Sequence, residues 1–90
     1  MIRCLIEFFS KFMRQINIEN IPLDVKAEEI GQFFDEFAPY EVKIGYNKFG
    51  VSLGRGQIIF PTRAIQKEAL EKFVDKIVCR NTLLKIKPAL

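Results

Sequence analysis

The hydrophobic residues of this chain recur with two different spacings, and the order of these spacings is the strongest constraint on its fold. Apolar residues at every second position predict half-buried strands, and apolar residues three or four positions apart predict amphipathic helices. Along the chain the segments follow one another as helix, strand, helix, strand, strand, helix and strand. A length of 90 residues leaves room for these elements in one small domain.

Each predicted element can be placed on the sequence. The helices are predicted at 2–14, at 27–37 and after Thr62, which is a good N-cap residue. The helix at 27–37 places Ile30, Phe33, Phe34 and Phe37 on one face. The strands are predicted around Ile16 and Ile18, around Val42 and Ile44, over 53–60, and over 83–87 with Leu84 and Ile86 pointing inward.

After the first helix, the order of elements is β-α-β-β-α-β. This order is typical of the ferredoxin-like α+β fold, in which two helices pack on one face of a four-stranded antiparallel sheet. We therefore expect residues 15–90 to form this domain and residues 1–14 to form an extra N-terminal amphipathic helix. The fold hosts many unrelated functions, so it does not specify one.

The composition argues against several classes of function. The chain has no histidine, which excludes a Ser-His-Asp triad and a histidine-ligated metal. Cys4 and Cys79 form no CxxC pair, and we interpret both as reduced and structural in an intracellular protein. No apolar run approaches the ~20 residues that span a bilayer. We expect no enzyme activity, no metal, no cofactor and no membrane partner.

Charge is distributed unevenly along the chain. Residues 24–41 contain six carboxylates and one cation, a net charge of −5, whereas residues 42–90 contain ten cations and three carboxylates, a net charge of +7. Two interpretations remain open. The charges are either solvated faces with no partner, or one side of the domain is a basic surface for an anionic polymer.

Two strand segments resemble the signatures of a known family. Residues 16–22 read Ile-Asn-Ile-Glu-Asn-Ile-Pro, and residues 53–60 read Leu-Gly-Arg-Gly-Gln-Ile-Ile-Phe. Both are similar to the short and long strand signatures of the RNA recognition motif (RRM), and the resemblance covers residues 15–88. An RRM stacks bases on outward aromatic residues of these strands. The corresponding positions here are Asn17, Arg55 and Gln57, so we expect little stacking, which is worth ~1–3 kcal/mol per base.

A further run favours one group of RRM proteins. Residues 46–54 read Tyr-Asn-Lys-Phe-Gly-Val-Ser-Leu-Gly and resemble the corresponding run of the ALY/REF mRNA export adaptors. In those proteins polar residues also replace the stacking aromatics. The resemblance implies a nuclear protein of mRNA processing and export, with shuttling to the cytoplasm left open. It also implies protein partners in the export machinery, an RNA helicase and an export receptor.

The candidate RNA contacts are weak and led by phosphates. They are Asn17, Lys43, Lys48, Phe49, Arg55, Gln57, Lys85 and Lys87. The cations among the strand residues alternate with inward apolar residues and should share the open sheet face, where they would give salt-dependent binding to single-stranded RNA. Alternatively they serve solubility and pair with Glu19 and Glu41. Phe49 either contacts a base or a partner, or folds back onto Tyr46 or onto the first helix.

The N-terminal helix is the basis of a rival hypothesis. Its apolar stripe consists of Ile2, Leu5, Ile6, Phe9, Phe12 and Met13. This stripe packs across the open sheet, packs on an edge or on the core helices, or pairs with another chain as a homodimer seam or a helix-in-groove contact. The rival function is a protein-interaction RRM whose sheet or N-terminal helix binds a partner without RNA. The basic residues of 1–14 also leave a mitochondrial presequence open, although Glu7 argues against it.

Overall fold

The computed structural model of the chain describes residues 11–39 and 41–89. The strands are β1 (Gln15–Glu19), β2 (Glu41–Tyr46), β3 (Ser52–Ile59), β4 (Val78–Cys79), β5 (Thr82–Leu83) and β6 (Lys85–Pro88). The helices are α1 (Ala27–Phe33) and α2 (Arg63–Phe73), with a 3-10 turn at Asp35–Phe37. Thr62 caps α2, because its Oγ1 accepts a hydrogen bond from the Ile65 N–H at 3.1 Å.

The main sheet has four antiparallel strands in the order β2-β3-β1-β6. Strands β1 and β3 therefore occupy its centre. Ile18 on β1 is the register partner of Gly56 on β3 and of Ile86 on β6. This arrangement confirms the predicted α+β fold with a four-stranded antiparallel sheet.

The core lies between the sheet and the two helices. Its fully buried side chains include Ile16, Ile18, Val25, Ile30, Phe34, Ile58, Phe60 and Leu84. The ring of Phe34 meets the rings of Phe60 and Phe73 edge-on, with centroids 5.8 and 5.0 Å apart. Such pairs add ~0.5–1.5 kcal/mol beyond the area that they bury. The aromatic contacts thus join α1, the end of β3 and α2.

The helix predicted at 27–37 ends earlier than expected. It is α-helical only to Phe33, and Phe34 leaves helical geometry with φ −107° and ψ 13°. The 3-10 turn that follows brings Phe37 against the core, while Phe33 stays at the rim with 37% of its surface exposed. The prediction that Phe33 shares the buried face is therefore wrong, because α1 directs Ile30 and Phe34 into the core and leaves Phe33 at the edge of that face.

A second small sheet precedes the last strand, where the sequence predicted one strand over 83–87. Val78 and Cys79 pair with Leu83 and Thr82 in a hairpin. Its turn contains Arg80 and Asn81, with φ 51° and 64°, and asparagine is a residue that tolerates positive φ. Leu83 therefore belongs to this hairpin and not to the outer face of the main sheet, and β6 begins at Lys85.

Ion pairs connect the acidic segment to the basic half of the chain. Arg80 pairs with Asp24 and, at 2.8 Å, with Glu29 on α1, and Lys72 on α2 pairs with Glu36. Desolvation lowers the pKa of Arg80, but attraction to Asp24 and Glu29 outweighs it and the pKa is raised. Part of the charge asymmetry read from the sequence is thus compensated between the two segments.

The predicted N-terminal helix falls mostly outside the described residues. Residues 11–13 are helical, Phe12 is half-buried and Met13 is 38% exposed. Ile2, Leu5, Ile6 and Phe9 lie outside the described residues, so the destination of the stripe stays a prediction. Within 11–39 and 41–89, no helix has the length and apolarity to cross a membrane, and no acidic or cysteine cluster could hold a metal ion.

Strands β2 and β3 lie so close together at Gly56 that there is no room for a side chain. A Cβ atom added there would lie 2.4 Å from the Lys43 carbonyl oxygen and 3.4 Å from the Ile44 Cα. Both obstacles are backbone atoms of the neighbouring strand, so they can yield only if the two strands separate. The centre of the sheet therefore depends on the missing side chain at this position.

We expect Gly56→Ala to lower the free energy of unfolding by about 1–3 kcal/mol, because overpacking must displace backbone. The measurement is urea denaturation followed by circular dichroism. The matched control is Gly45→Ala, whose added Cβ would meet the end of the Leu53 side chain at 3.4 Å. That side chain can move, so the control should lose less stability. Equal losses in the two variants would contradict the close-approach argument.

Candidate nucleic-acid interface

The outer face of the sheet carries a polar row that follows from the strand alternation. Because Ile16, Ile18 and Ile58 point into the core, their neighbours on β1 and β3 must point outward. The register then sets Lys43, Gln57, Asn17 and Lys87 side by side across the four strands, each the register partner of the next. Amide side chains lie at the centre of this row and lysines at both ends.

A depression of about 500 Å³ lies on this face. The side chains that line it include Asn17, Glu19, Lys43, Arg55, Gln57 and Lys87. Gly45 also lines it and contributes no side chain, which leaves room beside Arg55. The structure thus brings five of the candidate RNA contacts together. Lys85 lies on the same face of β6 as Lys87, since the two are separated by the inward Ile86.

Carboxylates compensate part of the positive charge on this face. Lys43 Nζ lies 3.1 Å from Glu41 Oε1, and Lys87 Nζ lies 3.0 Å from Glu19 Oε1. All four side chains are partly exposed, and such pairs are worth only ~0–1 kcal/mol, so phosphate can compete for the lysines. Among the described residues, the side chain of Arg55 makes no hydrogen bond and no ion pair. Of the three cations that line the depression, Arg55 is therefore the most available to a ligand.

The outward positions that carry aromatics in typical RRMs hold hydrogen-bonding groups here. Asn17 Oδ1 accepts a hydrogen bond from Gln15 Nε2 at 2.8 Å, which leaves the Asn17 amide N–H groups for other partners. Gln57 is exposed directly beside it. Toward one end of the face, Gln15 and Ile59 are only 8% and 7% exposed. The polar surface that solvent can reach is therefore smaller at that end. The face is built for hydrogen bonds and charge, not for stacking.

Lys48 and Phe49 lie apart from the depression, in the loop between β2 and β3. Phe49 is 79% exposed, so its ring is not folded back onto Tyr46. Lys48 Nζ lies 5.2 Å from the centroid of the Phe49 ring, within the range of a cation–π contact. The structure therefore presents this aromatic residue to solvent, beside a cation, beyond the ends of the strands.

The run that resembles the export adaptors has backbone roles in this structure. Asn47 Oδ1 accepts hydrogen bonds from the N–H groups of Phe49 and Val51 at 2.8 and 3.1 Å, which closes the loop. Gly54 has φ 73° where the register between β2 and β3 shifts, and its carbonyl accepts from the Ile21 N–H at 2.8 Å. Ser52 Oγ accepts from the Gly54 N–H at 3.1 Å. Much of this run therefore specifies a loop and an irregular strand.

Of the lining residues that were not candidate contacts from the sequence, Glu19 and Gly45 bear most on the shape and charge of the depression. Glu19 was considered only as a partner for cations, although the alternation of β1 places it on the outer face with Asn17. Gly45 gave no signal, because a glycine in a strand has no side chain to assign to either face. Only the structure shows that the absence of a side chain at Gly45 leaves space in the depression, next to Arg55 and Leu53.

Comparison with known proteins identifies the fold. No protein-family model and no curated protein matches the chain. Solved structures do: RNA recognition domains 1 and 2 of Sex-lethal from Drosophila melanogaster match with TM-score 0.76 and 23% identity over 86% of this chain. The second RRM domain of the yeast poly(U)-binding protein Pub1 matches with TM-score 0.74 and 16% identity over 81% of this chain. The RNA binding protein PG1 matches with TM-score 0.78 and 20% identity over 86% of this chain.

The coverage of these structures shows what part of them corresponds to this chain. The chain spans 50% of the Sex-lethal structure, which holds both recognition domains, but 89% of the single Pub1 domain and 94% of PG1. It thus corresponds to a single recognition domain. At these identities the likeness concerns the fold, and the resemblance to the ALY/REF adaptors stays a prediction. The chain has the fold of an RNA recognition motif.

Proposed function

We propose that this chain binds single-stranded RNA weakly through the outer face of its sheet. The observation that carries the proposal is the depression in which Asn17, Lys43, Arg55, Gln57 and Lys87 meet on that face. Two of the structures with this fold support it, since one is a Sex-lethal protein–RNA complex and another is an RNA binding protein. An exposed polar face with free cationic groups suits a flexible anionic chain.

The chemistry of each side chain determines whether we assign it to a phosphate or to a base. Arg55 contacts a phosphate, and its planar guanidinium can also stack on a base. Lys43, Lys85 and Lys87 add phosphate contacts at the margins of the face. The amides of Asn17 and Gln57 hydrogen-bond to base edges, which single-stranded RNA exposes. Binding is weak because the stacking energy of ~1–3 kcal/mol per base that outward aromatics supply is missing.

The finer role that we propose is that of an adaptor in mRNA processing and export in the nucleus. It rests on the resemblance of residues 46–54 to the ALY/REF proteins. The exposed Phe49 beside Lys48 supports it as a contact point outside the sheet, either for RNA or for a protein of the export machinery. The N-terminal stripe, from Ile2 to Met13, is the other surface proposed for a protein partner or a homodimer seam.

A second candidate function is a protein-interaction RRM that does not bind RNA. One observation favours it: several exposed apolar side chains lie close together along the chain, in and just after the β2–β3 loop. Phe49, Val51 and Leu53 are 79%, 51% and 46% exposed. Contiguous exposed apolar residues often mark protein interaction sites. An experiment that locates the bound RNA on the domain therefore separates the two candidates.

Salt dependence tests whether binding is led by phosphates. The outer face carries a net charge of about +2, because two paired carboxylates offset two of its four cations. These cations are Lys43, Arg55, Lys85 and Lys87. We expect the logarithm of the association constant for an oligouridine to fall with the logarithm of salt at a slope of about −1.4. Between about 50 and about 200 mM salt, this slope means a loss of about sevenfold. Fluorescence anisotropy measures it. Retention of affinity over this range would contradict the proposal.

Arg55→Gln tests the residue that we place at the centre of phosphate binding. It should weaken RNA binding by about fivefold and make the salt slope less steep by roughly 0.7, because one phosphate contact is lost. The side chain has no partner among the described residues, so stability should not change. The matched control is Arg63→Gln at the start of α2, away from the outer face. A loss of the same size in both variants would show that only net charge matters.

An amide chemical-shift titration with a short single-stranded RNA at low salt locates the contact. We expect the largest shifts at Asn17, Lys43, Arg55 and Gln57, with smaller ones at Lys85 and Lys87. Shifts confined to Lys48 and Phe49 would move the RNA contact from the sheet to the loop. If no amide shifts, the RNA proposal fails for this chain and the protein-interaction candidate replaces it.

A further inference from the structure

One lining residue has the wrong charge for a surface that only binds phosphates. Glu19 ends β1 on the outer face, and its side chain is 50% exposed within the depression. Its register partner on β6 is Lys85, and Lys87 holds its Oε1 at 3.0 Å. A carboxylate at this position repels phosphate and lowers the affinity for any RNA. If Glu19 contributes favourably to binding, it does so through hydrogen bonds that its carboxylate oxygens accept from the ligand.

Arg55 lies beside Glu19 on the neighbouring strand. The pairing of β1 with β3 ends at Ile18 and Gly56. Glu19 and Arg55 are the next residues along the two strands beyond this pair. Both side chains line the same depression, yet no ion pair joins them, since Glu19 pairs with Lys87. The face thus presents a guanidinium, which only donates, next to a carboxylate, which only accepts.

This pair of groups matches the Watson–Crick edge of one base. Guanine presents the O6 acceptor followed by the N1–H and N2–H donors. The two oxygens of Glu19 can accept both donors while Arg55 donates to O6. Adenine and cytosine present an acceptor where Glu19 would need a donor, and uracil presents a single N–H between two carbonyls. Such charge-assisted, bidentate contacts are the strong ones, and single-stranded RNA leaves this edge free.

We propose that the depression selects guanine, with Glu19 as the residue that determines the selectivity and Arg55 as its donor partner. Lys87 holds the carboxylate over the depression through Oε1. Each carboxylate oxygen can accept two hydrogen bonds, so both oxygens can still accept from the base. The inference rests on the proposed RNA binding and adds the base that is read. It also gives a reason for a carboxylate in a depression whose other charged lining residues are cations.

The test compares labelled oligonucleotides by fluorescence anisotropy at low salt. The probes are an oligouridine of about eight nucleotides, the same oligonucleotide with one central guanosine, and a third with inosine at that position. We expect guanosine to raise the affinity about fivefold or more over uridine. Inosine lacks the N2 amino group and should lose most of this gain. Equal affinity for all three probes overturns the guanine preference.

The matched variants are Glu19→Gln and Glu41→Gln. Each removes one carboxylate that pairs with a lysine on the outer face, but Glu41 does not line the depression. Both should bind oligouridine as well as or better than the original chain, because a repulsive charge is gone. Only Glu19→Gln should abolish the preference for guanosine, since an amide offers one acceptor and not two. A preference that survives in Glu19→Gln, or is lost in both variants, overturns the assignment.

The outcome also separates this inference from the function on which it rests. If every probe binds with the same salt-dependent affinity, RNA binding stands and the guanine preference fails. If no probe binds even at low salt, the proposed function itself fails, and the selectivity fails with it. Circular dichroism of both variants shows whether they are folded, which is expected because both side chains are exposed or half-exposed.

Discussion

The alternation of side chains along the central strands is the constraint on which the rest of this structure depends. Ile16, Ile18 and Ile58 are almost fully buried on one side of the sheet. The residues next to them along each strand must therefore face outward. A slip of one residue would bury Asn17 and Gln57 and expose the isoleucines, which the core does not permit. The polar row of the outer face is therefore specified by the same packing that holds the helices.

The sequence was sufficient to predict the elements whose hydrophobic residues recur with a regular period. The period of two along β1, β2 and β3 located the outer face and predicted that Asn17, Lys43 and Arg55 would share it. Strands of two residues have no period to detect, so the β4–β5 hairpin was missed and Leu83 was assigned to the wrong sheet. The early end of α1 at Phe33 was missed because Phe34 and Phe37, before and within the 3-10 turn, both contact the core as they would in a longer helix.

Electrostatic pairing was beyond sequence reasoning because it depends on which distant segments become neighbours. Arg80 reaches Asp24 and Glu29, separated from it by 56 and 51 residues. The asymmetry between residues 24–41 and 42–90 suggested two opposite faces, and these contacts compensate part of it. For the RNA binding that we propose, the charge that matters is that of the outer face, where two carboxylates reduce the effect of the lysines and Arg55.

The position of β2 at the outside of the sheet has a consequence for handling the protein in concentrated solution. Its outer edge pairs with no other strand of the described residues, and such edges are templates for association between chains. Val42, Ile44 and Tyr46 give this strand a strong tendency to extend a foreign sheet. The ion pair of Glu41 and Lys43 sits on the same strand, and charged side chains there discourage edge-to-edge aggregation. Lys43 thus discourages aggregation in addition to making the phosphate contact that we propose for it.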